Sequence, residues 1–132
     1  MIGLDTNVLV RYFAQDDAVQ SKKATALMET LSAERPGYVS QVALVEVVWV
    51  LGRCYGVERE QMKDIIDSMI ATKELVVEGA DTVRKALRAF VSSAKADFAD
   101  CLIERSGHAA DCEYTATFDV MASKVAGMRL IK

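Results

Sequence analysis

Met1-Ile2-Gly3-Leu4-Asp5-Thr6-Asn7-Val8-Leu9-Val10 is the stretch whose reading decides the fold. A short apolar run closes on a carboxylate, Asp5, and Asn7 to Ala14 continues with helical character. A continuous apolar run fits a strand buried on both faces, as parallel sheets require. A strand leading through an acid into a helix is the start of an α/β fold, and such folds place their sites beyond the carboxyl ends of strands. Three more acids recur beside or within apolar segments: Glu46, Asp100 in Asp97-Phe98-Ala99-Asp100-Cys101-Leu102-Ile103, and Asp119 in Tyr114-Thr115-Ala116-Thr117-Phe118-Asp119. Carboxylates in such settings are costly to bury unless something pairs with them. With one His and no clustered Cys, a hard cation held by oxygen is the natural partner.

Working outward, Asp17 to Glu34 reads as an amphipathic helix with Val19, Ala24, Leu27, Met28 and Leu31 on one face, stopped by Arg35-Pro36-Gly37. Tyr38-Val39 is a brief strand, and Ser40 is placed to cap the next segment. That segment, Gln41 to Tyr55, is rich in Val, which favours a strand, but its length and the stop at Gly56 favour a buried helix. Glu58 to Ala71 reads as a helix with Met62, Ile65, Ile66 and Met69 inward, and Glu74 to Val77 as a strand. Ala80 to Ala94, with Val83, Leu87, Phe90 and Val91 inward, and Phe98 to Ala109 read as helices. Tyr114 to Thr117 and Met128 to Ile131 read as strands flanking a short helix, Val120 to Val125. The expectation is one α/β domain over residues 1–132, three layers α/β/α around a short parallel sheet of four to five strands. Asp5 and Asp119 would then reach one rim of that sheet. Asp100 would lie in a helix's first turns, where the dipole favours an anion. Glu46 would point into the site or into the core.

The 132 residues suffice for a core without staples. Cys54, Cys101 and Cys112 lack paired spacing and read as reduced, mostly buried thiols. His108 cannot build a His/Cys zinc site and reads as padding at a helix end. No leader peptide or membrane span is expected, so the expected location is the cytoplasm. The net charge of −3 does not advertise nucleic-acid binding. Local basic groups nevertheless exist at Lys22-Lys23, at Arg84-Lys85 with Arg88, and at Arg53 with Arg59 and Lys63. Each is either a solvated helix face or a track for phosphates.

Asp5-Thr6-Asn7-Val8-Leu9, Val45-Glu46-Val47, Asp97-Phe98-Ala99-Asp100-Cys101-Leu102-Ile103 and Thr117-Phe118-Asp119 share the order and spacing of the PIN-domain ribonucleases. The chain resembles in particular the VapC toxins of bacterial toxin–antitoxin pairs, over its whole length. The resemblance implies that Asp5, Glu46, Asp100 and Asp119 are metal-binding, catalytic acids for Mg²⁺ or Mn²⁺. Asp97 is either a helix cap or a further site acid. Thr6, Asn7 and Thr117 match polar supporting positions, for which capping and turn chemistry are the plain alternative. It also implies an RNA substrate, a homodimer, and a cognate antitoxin whose tail covers the acids and offers them an Arg. Val8, Leu9, Tyr12 and Phe13 divide between core packing and the groove for such a partner.

These residues allow metal-activated water to attack an RNA phosphodiester in line. A lone His and the lack of a nucleophile elbow exclude a Ser or Cys triad. Three other readings compete. The acids are caps and surface charges on an inert domain, a reading that fits Glu46 worst. The chain is a Mg²⁺-dependent aspartyl-phosphate domain, whose usual Asp-x-Asp is here Asp5-Thr6-Asn7. Or it is a PIN-like scaffold that binds RNA or a partner without cutting.

Overall fold

The computed structural model describes residues 1–132 and divides the chain into two compact units, Met1–Glu78 and Gly79–Lys132. In the first unit, β1 (Ile2–Gly3), β2 (Gly37–Val39) and β3 (Leu75–Val77) form a parallel sheet in that order. Tyr38 anchors the register, opposite Gly3 on one side and Val76 on the other. Leu4 and Leu31 close over Gly37 where β1 and β2 meet: a Cβ there would fall 2.7 Å from Leu4 Cδ1 and 2.9 Å from Leu31 Cδ1, so both side chains would have to shift. The unit's helices are α1 (Thr6–Ala14), α2 (Ala18–Glu29), α3 (Gln41–Tyr55) and α4 (Arg59–Ala71).

The Val-rich segment is helical because its apolar residues repeat at helical spacing. Leu44, Val47, Val48 and Leu51 are all buried on one face of α3. Ser40 Oγ accepts from Ala43 N at 3.1 Å at its start, and Gly56 ends it at φ +64°. The expectation of a wholly buried helix is corrected. Val42, Glu46, Trp49 and Arg53 form an exposed stripe along the opposite side, so Glu46 does not point into the core. Ser40→Ala should cost about 1 kcal/mol in urea unfolding; no loss would show that the cap is idle.

α2 stops at Glu29, five residues short of the expected Glu34. Thr30 Oγ1 donates to Leu27 O at 2.6 Å, and Ser32 and Arg35 exchange backbone hydrogen bonds, turning the chain before Pro36. Leu31 is still buried, but from this turn. The expected inward face is also wrong at its first member: Val19 is 63% exposed, while Ser21 and Ala24 are buried.

The second unit holds α5 (Ala80–Ser92), α6 (Phe98–Ala109), β4 (Ala116–Thr117), α7 (Val120–Val125) and β5 (Arg129–Leu130). α5 and α6 pack through Leu87, Phe90, Phe98 and Leu102, with the Phe90 and Phe98 rings edge-on at 5.7 Å. β4 and β5 pair in parallel, joined by α7. The α/β class with parallel strands stands, compatible with three α/β/α layers. The sheet itself is corrected: instead of four to five strands there are a three-stranded and a two-stranded one. Of the thiols only Cys101 is buried; Cys54 and Cys112 are exposed, and none of the three is in a disulfide. No helix is long and apolar enough to cross a membrane.

Candidate metal and phosphate site

Asp5 lies one residue beyond the end of β1's neighbour Leu4 and becomes the N-cap of α1, because an extended acid at a helix start can accept an otherwise unpaired N–H. Its Oδ1 accepts from Thr6 N at 2.8 Å. Thr6 Oγ1 donates to Glu46 Oε1 at 2.8 Å, drawing α1 and α3 together at this point. Asp5, Thr6, Asn7 and Glu46 line one open pocket of about 290 Å³ in the first unit. Asp5, Glu46 and Asn7 are exposed, so the premise that these acids are buried is corrected.

The second unit gathers the other acids. Asp97 caps α6 through Asp100 N at 3.0 Å. The cap half of its open alternative is thus met. Asp119 caps α7 through Ala122 N at 2.9 Å, and its own N–H donates to Thr117 Oγ1 at 3.0 Å. Asp100 stands in the first turn of α6 and makes no cap. Partial burial pushes its carboxyl above the usual carboxylate range, and the charges of Asp97 and Asp119 push it further the same way. These three acids are therefore electrostatic neighbours.

None of the five acids is neutralised by a basic side chain. Ion pairs form elsewhere, among them Arg11–Asp16, Lys63–Asp67, Arg84–Asp81 and Arg105–Glu104. The donor set is all oxygen, which suits a hard cation rather than zinc. In neither unit do three or more such groups converge as ready metal ligands. Mg²⁺ needs only one or two carboxylates, since it keeps several waters, so the residues present fit it.

Sequence reasoning missed two features here. Arg11 and Tyr55 line the same pocket as Asp5 and Glu46. They sit one turn past Asn7 and at the far end of α3, a proximity no local motif announces. Glu104 is buried against Gly127 and held by Arg105 at 2.6 and 3.0 Å. Its polar helical setting gave no warning of that burial.

No curated protein and no solved structure matches the chain significantly. The PIN domain family model matches residues 2–128. The match spans nearly the whole sequence and contains all five acids, so the chain belongs to the PIN-domain family, a superfamily of nucleases that generally depend on divalent metal ions.

Proposed function

We propose that this chain is a metal-dependent endoribonuclease of the VapC-toxin kind, working as one PIN domain in the cytoplasm. The observation that carries the reading is charge without a counter-charge. Asp5, Glu46, Asp97, Asp100 and Asp119 lack any basic partner, and Asp100 is crowded by two like charges. The like charges gathered around the partly buried Asp100 are unfavourable for the fold alone and would be relieved by a cation.

Asp5, Asp100 and Asp119 would hold Mg²⁺ or Mn²⁺, with Glu46 completing the site or orienting the attacking water. Such a cation offers charge to the phosphoryl oxygens and acidity to its water. Thr6 fixes the Glu46 carboxylate by donating to one of its oxygens, leaving the other free to accept a proton. Thr117 fixes the backbone of Asp119, and Asn7 adds a polar wall. Asp97 adds charge beside Asp100. The family resemblance implies products with 3′-hydroxyl and 5′-phosphate ends.

Phe118 is 80% exposed directly before Asp119, and Val120 and Met121 after it are exposed as well. Such a patch beside an acid supports an antitoxin segment that covers apolar surface and supplies an Arg. A homodimer belongs to the same reading.

Purified chain, free of antitoxin, should cut total RNA into discrete fragments with Mg²⁺ or Mn²⁺ and leave it intact with EDTA. Folded protein that cuts nothing would defeat the nuclease reading. It would favour a scaffold that binds RNA or a partner without cutting, which the absence of three converging ligands also suits.

A further inference from the structure

We propose that Arg11 is the residue that seats an RNA phosphate beside the Asp5/Glu46 pocket, and that Asp16, Gln20 and Tyr55 exist to hold it in that pose. The inference rests on the ribonuclease reading for its substrate.

Arg11 is oriented on three sides. Its Nε donates to Gln20 Oε1 at 2.8 Å. Its Nη1 reaches both oxygens of Asp16, at 3.1 and 3.3 Å, and the Tyr55 hydroxyl at 3.3 Å. Tyr55 donates in turn to Asp16 Oδ2 at 2.5 Å, so the carboxylate is fixed from its other side. The second terminal nitrogen, Nη2, meets no acceptor in the protein. The side chain remains 31% exposed. A guanidinium presents donors in a rigid plane, so fixing two of its nitrogens aims the third.

The surroundings say at what it is aimed. Arg11 stands on a wall shared by two grooves. One contains Asp5 and Glu46; the other, of about 300 Å³, contains Lys23. A polyanion running from Lys23 across Arg11 would arrive at the acids. Asp16 has a second consequence. An Arg this close to unpaired carboxylates would otherwise fold onto them and occupy the cation's place. Asp16 engages it instead, and no ion pair forms to Asp5 or Glu46. Tyr55's hydrogen bond to Oδ2 holds the Asp16 carboxylate in place for this purpose and lowers its pKa.

The test uses a fluorescent single-stranded RNA and the intact chain in Ca²⁺, with binding followed by anisotropy over a series of salt concentrations. Arg11→Gln should weaken binding about tenfold and flatten the slope of log K against log salt by about 0.7, one phosphate contact. Arg11→Lys keeps the charge and should keep the slope. Melting curves of both variants establish that they are folded. Unchanged affinity and slope in Arg11→Gln overturn the inference, as does failure of the wild type to bind RNA. A parallel cleavage assay in Mg²⁺ or Mn²⁺ separates the two readings. Wild-type protein that binds through Arg11 but does not cut defeats the nuclease reading alone, and wild-type cleavage with an indifferent Arg11→Gln defeats this one alone.

Discussion

Asp100→Asn should reduce RNA cleavage by about 100-fold or more and at the same time raise the melting temperature of the metal-free protein. The first effect comes from losing a proposed metal ligand, which costs at least as much as losing a residue that merely supports a ligand, about 10–100-fold. The second comes from local electrostatics. Burial, then Asp97 and Asp119, raise the Asp100 carboxyl above its ordinary value. The folded state therefore holds that proton more tightly than the unfolded chain does. This contribution favours the fold most below the ordinary carboxylate pKa. It is lost as pH rises through the raised value, above which the ionised carboxyl is destabilised by its burial and its neighbours. The amide cannot ionise, so the variant should lack that decline. Mn²⁺ should raise the melting temperature of the wild type more than that of the variant. The substitution is clean, because the cap of α6 comes from Asp97 and not from Asp100. Melting curves across pH in EDTA and in Mn²⁺, beside a cleavage gel, decide both halves. Undiminished cleavage removes Asp100 from the site; a variant no more stable than wild type at neutral pH removes the charge-crowding account.

Leu44→Ala should destabilise the protein by about 2–5 kcal/mol. Leu44 is fully buried in α3, in the same stripe as Val47, Val48 and Leu51. Removing its branched end leaves a cavity that a helix tied at both termini by Ser40 and Gly56 cannot close by shifting. A small domain has only about 5–15 kcal/mol to lose. Urea unfolding should show a lower midpoint with an unchanged slope. A loss under about 1 kcal/mol would mean that the site collapses freely.

Helices with a repeating face and a clear stop were legible in the sequence. α3, α6 and α7 have their expected bounds, because Ser40, Gly56, Asp97 and Asp119 are chemically specific ends. α2 was over-extended because Leu31 continues its apolar pattern, although it is buried from the adjoining turn. Strand positions were legible, but strand pairing was not. Strands of two or three residues carry too little alternation to declare a partner, so one expected sheet is in fact two. At the site, the acids announced themselves by type and order. Their exposure did not show, since Glu46 is flanked by apolar residues along the chain while its own helical stripe faces solvent. Arg11 and Tyr55 were silent because they meet across 44 positions.

Asp5, Asp97 and Asp119 each begin a helix with one carboxylate oxygen on a backbone N–H. Folding thus taxes mutation at these positions whether or not the chain cuts anything. A descendant released from its activity would drift at different speeds along its own sequence. Glu46 and Asp100 could decay to almost any polar residue. Positions 5, 97 and 119 would linger as Asn, Ser or Thr, which still terminate a helix. The order in which the acids vanish would date the loss of activity separately from the loss of shape.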